Sequence, residues 1–125
     1  MSYFTHRRVV TGLDEQGRSA VLIDGPVPPP RGSIESAAFV WRTDSVPADN
    51  AGAADTAVPY ELELLHAEGS NFAICAFPPH TDAFMHATDT IDYLVILQGR
   101  VTLVLETGEA RLGAAIAKVN SSPVT

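Results

Sequence analysis

Short apolar or alternating segments, separated by turn residues, recur along most of this chain and constrain its fold more than any other feature. Most of them are rich in valine, isoleucine, leucine or aromatic residues, the residues that favour β-strands. Nine glycines and nine prolines in 125 residues supply the turns. Several short strands at regular spacing are typical of an all-β sandwich or barrel. We therefore predict an all-β fold, with residues 1–125 forming a single domain.

The predicted elements follow from local composition. Residues 7–24 read as a hairpin around the turn Asp14–Gly17. Residues 24–30 end in three consecutive prolines, which exclude a helix or a central strand and predict an extended surface crossing. The hairpin and the crossing make up residues 1–35, and the remaining strands lie in residues 36–125. Those strands are predicted at 36–43, 60–64, 71–77, 91–97 and 101–106. Residues 44–58 are predicted to be a loop that could begin with a helical turn. Residues 110–119 are equally compatible with helix, strand or an irregular tail.

Charge and cysteine content exclude several classes of function. Fifteen acidic and eight basic residues give a net charge of −7, which argues against nucleic acid or an anionic membrane as partner. The single cysteine, Cys75, excludes an intramolecular disulfide and a cysteine-rich zinc site, and its apolar neighbours predict a buried thiol. The N-terminal residues lack the apolar segment of a signal peptide, and no apolar run approaches membrane-spanning length. We expect a soluble, cytoplasmic protein.

The densest group of chemically active side chains lies between His80 and Asp92, directly before an apolar strand. Residues two apart in a strand point to the same side, so His86 and Thr88 are expected to share a face. If that parity continues, Asp92 and the aliphatic residues 94 and 96 face the same way. Polar groups at one end of an apolar interior are how a ligand pocket in a β-barrel is built. This predicts a small-molecule site.

The phrase MHATDTIDYLVILQG resembles the first motif of the cupin superfamily. That motif has a histidine, a second histidine two residues later, a glutamate four residues further and a glycine seven residues after that. His86, Thr88, Asp92 and Gly99 occupy those positions, so the spacing agrees while two residue types differ. The resemblance covers about residues 60–110. It implies a cupin-type double-stranded β-helix, or jelly-roll barrel, of the kind found in small single-domain cupins of secondary-metabolite clusters, with residues 36–125 supplying the barrel strands.

The second cupin motif has no counterpart in this sequence. In the family it supplies a further histidine on a later strand, after a Pro-x-Gly turn, but no histidine follows His86. The resemblance therefore implies a barrel that is shortened at its C-terminal end or is completed by a partner chain. Because an unfinished barrel leaves sheet edges open, we expect a homodimer.

Two kinds of chemistry are open to these residues. His86 and Asp92 could be metal ligands, and iron, manganese, zinc or nickel are not distinguished. Without a metal, His86, Asp92 and Thr88 are predicted to catalyse acid–base chemistry, as in dehydration, decarboxylation, isomerisation or cyclisation of a small carbonyl or polyketide-like metabolite. A metal-dependent dioxygenase and a non-catalytic small-molecule-binding cupin are the alternatives. The residues predicted to contact the substrate are Trp41, His80, Phe84, Leu94 and Ile96.

Overall fold

A computed structural model describes residues 6–32 and 36–121, which contain eight β-strands and one short 3-10 helix. The strands are β1 (Arg7–Leu13), β2 (Ser19–Pro26), β3 (Ala37–Thr43), β4 (Ser70–Cys75), β5 (Thr90–Val95), β6 (Val101–Leu105), β7 (Gly108–Leu112) and β8 (Ile116–Ser121), and the 3-10 helix spans Leu62–His66. No α-helix occurs in these residues. The prediction of an all-β protein is confirmed.

The chain divides into two compact units, one ending at Pro79 and the other beginning at His80. The first unit contains the antiparallel pairs β1–β2 and β3–β4, and the second contains β5–β8 and β6–β7. In the second unit the pairing is nested, because the β6–β7 hairpin lies in sequence between the two strands of the outer pair. Nested antiparallel pairs are the connectivity of a jelly roll, so the arrangement is consistent with a cupin-like β fold. The assignment of residues 1–125 to one domain stays a prediction.

Local turn chemistry explains why the N-terminal hairpin is found where the sequence predicts it. The Asp14 carboxylate accepts hydrogen bonds from the backbone N–H groups of Gln16 and Arg18, at 2.9 Å each. Gly17 has a φ of 75°, in the left-handed region that glycine adopts without strain. These interactions close the turn between β1 and β2 within the chain segment itself.

One predicted strand is wrong. Residues 60–64 were expected to alternate as a strand, but Leu62–His66 form a 3-10 helix instead. Leu64 and Leu65 are both half-buried, so two consecutive leucines face the protein, which a helical turn permits and a strand does not. The ambiguity of residues 110–119 is resolved as two strands, since residues 110–112 lie in β7 and residues 116–119 in β8, with residues 113–115 connecting them.

The buried apolar residues described in the first unit lie around the start of β3, where Val27 and Ala38 form a cluster with the partly buried residues Val40, Ile74 and Ala76. Phe39 and Val27 are each 2% exposed, and Ala37, Ala38 and Ala57 are also buried. Val27 precedes the three prolines, and its backbone N–H donates to the carbonyl of His6 at 2.8 Å. The proline-rich crossing is therefore held against the cluster at Val27.

A partly buried ion pair fastens the loop of residues 44–58 to this cluster. The Arg8 side chain is 6% exposed, and its guanidinium donates to both carboxylate oxygens of Asp55 and to the Val40 carbonyl at 3.0 Å. Asp55 also accepts the N–H of Ala57 at 2.9 Å. The hydrogen bonds from Arg8 hold the pKa of the Asp55 carboxyl below its usual value. The pair thus links β1, β3 and a loop that has no regular structure of its own.

Replacing Asp55 with asparagine should lower the free energy of unfolding, because Arg8 would keep a buried charge without its counter-charge. The Asp55 side chain is 40% exposed, so water screens part of the effect. We expect a loss of about 1–3 kcal/mol, less than for a fully buried pair. Urea unfolding followed by the fluorescence of Trp41, the single tryptophan, measures it.

The same pair should make stability depend on pH. Because the pKa of Asp55 is lower in the folded state, its contribution is present above the unfolded pKa and is lost as the pH falls through the folded pKa. Acidification from about pH 7 to about pH 3 should therefore lower the urea midpoint more for the wild type than for Asp55→Asn. Asp49→Asn is the matched control, since Asp49 lies in the same loop and bonds only the nearby N–H of Ala51 within the described chain. Equal losses in the two variants would contradict the role assigned to the Arg8 pair.

Candidate functional site

His86 lies in the irregular segment before β5, and one hydrogen bond fixes the orientation of its ring. Its Nδ1 lies 2.8 Å from the carbonyl oxygen of Phe84. A carbonyl oxygen can only accept, so in the neutral imidazole Nδ1 carries the hydrogen and Nε2 carries the lone pair. The side chain is exposed, which makes Nε2 accessible to a ligand. This is the tautomer that a general base acting through Nε2 requires.

The Phe84 ring provides a second constraint on the same histidine. The two ring centroids are 5.6 Å apart with an angle of 25° between the planes, so the rings are stacked. Phe84 is 83% exposed, and this stack is the ring contact that the structure shows for it. Whether it also contacts a substrate, as the sequence predicts, stays a prediction.

The faces of β5 follow the predicted alternation at its aliphatic end. Leu94 is half-buried, whereas Tyr93 and Val95 are exposed. Ile96, just beyond the strand, is also half-buried, and its N–H donates to the Ala115 carbonyl at 3.1 Å. The apolar interior predicted at residues 94 and 96 is thus present as a half-covered face.

At the polar end of that face, the threonines bond each other. The hydroxyls of Thr88 and Thr90 are 2.7 Å apart, so one of them donates a hydrogen bond to the other. Asp92 shares the face of Thr90 by strand alternation and stands opposite Val119 of β8. Its side chain is exposed.

His86 and Asp92 are not brought into the enclosed hollow that strand parity predicted. Both side chains are exposed, and within the described chain no hydrogen bond joins them. The assignment of His86, Asp92 and Thr88 as catalytic residues stays a prediction.

The described residues do not fit a metal centre. A mononuclear site needs three or four converging nitrogen, oxygen or sulfur ligands. In residues 6–32 and 36–121, no three histidine, cysteine, aspartate or glutamate side chains are grouped in that way. Thr88 occupies the position of the second cupin histidine, and its hydroxyl is already bonded to Thr90. Among the described residues, His86 and Asp92 therefore lack the third ligand that a metal site would require.

The remaining predicted site residues lie in different environments. Trp41 belongs to the first unit, where it is half-buried in β3 opposite Phe72 of β4. His80 is exposed, with a φ of 63° in the turn after Pro79. Their proposed contacts with a substrate stay predictions.

Cys75 differs from the expectation of a buried thiol. It ends β4 and its thiol is exposed. Neighbouring atoms still desolvate it enough to raise the pKa of the thiol, which makes the thiolate a minor form near neutral pH.

Sequence reasoning overlooked two arginines at the open end of the β6–β7 hairpin. A groove of about 400 Å³ is lined there by Arg100, Val101, Thr102, Arg111, Leu112 and Gly113. A smaller cavity of about 10 Å³ lies in the first unit, against the three prolines. None of the predicted site residues lines either one. In the structure, the two-residue turn at Glu106 and Thr107 pairs Leu105 with Gly108 and therefore sets Thr102 opposite Arg111.

Comparison with known proteins places the chain near cupin-domain proteins. It is similar to a cupin-domain-containing oxidoreductase, srdD, of Neurospora crassa, with 29% identity over 110 residues that cover 84% of this chain and 56% of that protein. It is also similar to the phomopsin biosynthesis cluster proteins C′ and D of Diaporthe leptostromiformis, with 43% identity over 44 residues, or 35% of this chain and 23% of each relative. No known family model matches the chain.

These similarities support a relationship to cupin-domain proteins, but the alignments cover only part of each relative. The name of the Neurospora protein agrees with the resemblance seen around His86 and Gly99. The alignments span less than two thirds of the length of each relative, so the activities of the whole relatives are not transferred here. In the described part of the chain, no helix is long and apolar enough to cross a membrane.

Proposed function

We propose that this chain is a cupin-type enzyme of secondary metabolism that transfers protons on a small carbonyl or polyketide-like metabolite. The observation that carries the proposal is the His86 tautomer, with Nδ1 bonded to the Phe84 carbonyl and Nε2 free to accept a proton. The similarity to two biosynthesis cluster proteins and to a cupin-domain protein supports the metabolic setting. The reaction class is a lyase or an isomerase.

In the simplest form of this chemistry, His86 Nε2 removes a proton from a carbon next to the substrate carbonyl. The electron pair of the broken C–H bond is delocalised into the carbonyl, and the imidazolium returns the proton to another carbon. No external oxidant or reductant is needed. Asp92 would stabilise the imidazolium on binding of substrate, and the Thr88 hydroxyl would bond the substrate oxygen. These two roles are the parts of the proposal that rest on sequence spacing.

An oxidoreductase is the second candidate, and it is favoured by the name of the Neurospora relative. That reaction would need an electron acceptor and a centre able to use it. The two candidates differ in what they consume, since proton transfer exchanges hydrogen with solvent whereas oxidation consumes dioxygen or another acceptor.

One experiment separates the candidates. The purified chain is incubated in D₂O with a panel of β-keto acids and phenolic ketones, with and without EDTA, while mass spectrometry follows deuterium incorporation and an electrode follows dioxygen. Enzyme-dependent deuterium uptake that is insensitive to EDTA and consumes no dioxygen supports the proposal. Dioxygen consumption restored by iron(II) or manganese(II) overturns it in favour of an oxidoreductase. Stabilisation of the protein by a compound that is not turned over overturns it in favour of a binding protein.

The homodimer expected from the sequence also stays a proposal. Light scattering coupled to size-exclusion chromatography measures the mass in solution. A mass of 13.3 kDa, that of a single chain, would contradict it.

A further inference from the structure

The groove at the open end of the β6–β7 hairpin has the size and lining of a ligand site. Its volume of about 400 Å³ lies within the range of pockets that hold small molecules. It is lined by two guanidinium groups, one hydroxyl and the aliphatic residues Val101 and Leu112. A few polar groups that can orient a ligand are typical of such sites.

Strand register brings the polar groups of this groove onto one face. Thr102 stands directly opposite Arg111, so the two side chains are neighbours. Arg100 lies two residues before Thr102, on the same side by alternation. Gly113 lies beneath it, since a Cβ atom placed on Gly113 would be 3.8 Å from Arg100 Cγ. The half-buried residues Val101 and Leu112 form the next pair of the ladder, which turns its side chains to the other face.

Arg100 and Arg111 differ from the other arginines of the chain in having no partner within the described residues. The other five are ion-paired or hydrogen-bonded: Arg7 to Asp24, Arg8 to Asp55, Arg18 to Asp14, Arg31 to the Ala57 carbonyl and Arg42 to Asn71. Glu109 shares the face of Arg111 on β7, but no ion pair joins them. In a chain with a net charge of −7, two neighbouring guanidinium groups without counter-charge form a local cationic site.

We propose that Arg100, Thr102 and Arg111 bind the oxyanion group, a carboxylate or a phosphate, of a small metabolite. The guanidinium fork matches the two oxygens of either group, and hydrogen bonds between ionised partners are the strong ones. The Thr102 hydroxyl supplies a further donor between the two arginines. Gly113, without a side chain, lies beside Arg100. This site does not depend on the reaction proposed for His86.

Isothermal titration of the full-length chain at low salt, with succinate and with inorganic phosphate as probes, tests the site. The double variant Arg100→Gln/Arg111→Gln should bind at least about tenfold more weakly than the wild type, because it loses the charge-assisted bonds. Arg18→Gln is the control for loss of a cation outside the groove, since Arg18 is an exposed cation in the β1–β2 turn, and it should bind like the wild type. Tighter binding of succinate identifies a carboxylate ligand, and tighter binding of phosphate identifies a phosphate ligand.

Two further variants keep the test independent of folding. Arg100→Lys/Arg111→Lys preserves both charges but removes the fork, so an intermediate affinity is expected. Glu109→Gln removes a competing carboxylate and should tighten binding. The proposal is overturned if the double glutamine variant and Arg18→Gln bind equally well. It is also overturned if neither probe binds, or if only a polyanion such as heparin does.

Discussion

Replacing His86 with glutamine is expected to slow enzyme-dependent deuterium incorporation by about 10²–10⁴-fold, the usual contribution of a positioned general base. Glutamine can adopt the same backbone conformation and donate a hydrogen bond to the Phe84 carbonyl, but its amide is not basic. Because His86 is exposed, the substitution should leave the fold intact. Mass spectrometry in D₂O, with the substrate that the wild type turns over, measures the rate.

The control for this prediction is His6→Gln. His6 is an exposed histidine of the first unit, and its substitution should leave the rate unchanged. Substrate affinity, measured separately by titration, should change far less than the rate in His86→Gln. A variant that loses affinity while its rate at saturation is preserved would show that His86 binds the ligand and does not transfer protons.

The hairpins of this protein could be predicted because short-range chemistry determines them. Asp14 and Gly17 close their turn with atoms only a few residues apart. The segment around Leu62 could not be predicted in the same way. Its spacing of leucines suits a short strand and a helical turn equally, and Tyr60 is held by the Phe39 ring at 4.6 Å, a contact that depends on a distant strand.

In the candidate site, too, some features follow from the local sequence and others depend on distant contacts. Strand alternation correctly separated Leu94 from its exposed neighbours Tyr93 and Val95. Strand alternation could not predict the exposure of Asp92, because it only indicates which residues share a face of the strand. Burial depends on what packs over that face. The His86 tautomer was also out of reach, because it follows from the path of the backbone at Phe84. The arginine groove was out of reach for a different reason: Thr102 and Arg111 face each other only because the turn is Glu106–Thr107, and the sequence does not fix that turn to the residue.

Truncating Phe39 to alanine should have the largest effect on the stability of the first unit. Phe39 is 2% exposed, its ring centroid is 4.6 Å from that of Tyr60, and the Arg42 guanidinium lies 5.3 Å from the centroid of its ring. The substitution would leave a cavity among side chains that are too few and too small to fill it, since the other buried apolar residues that the structure describes are valine and alanine. We expect the free energy of unfolding to fall by about 3–5 kcal/mol, as for other buried phenylalanines.

Urea unfolding followed by Trp41 fluorescence is well suited to this measurement, because Trp41 lies two residues further along the same strand. Phe77→Ala is the matched control: it removes the same number of atoms from a side chain that is 62% exposed, after the end of β4. A surface substitution of this kind should change the free energy of unfolding by less than about 1 kcal/mol. If the two variants lost similar amounts of free energy of unfolding, the stability of this unit would not depend on the packing around Phe39. The ion pair between Arg8 and Asp55 would then be the main candidate for the interaction that holds β1, β3 and the connecting loop together.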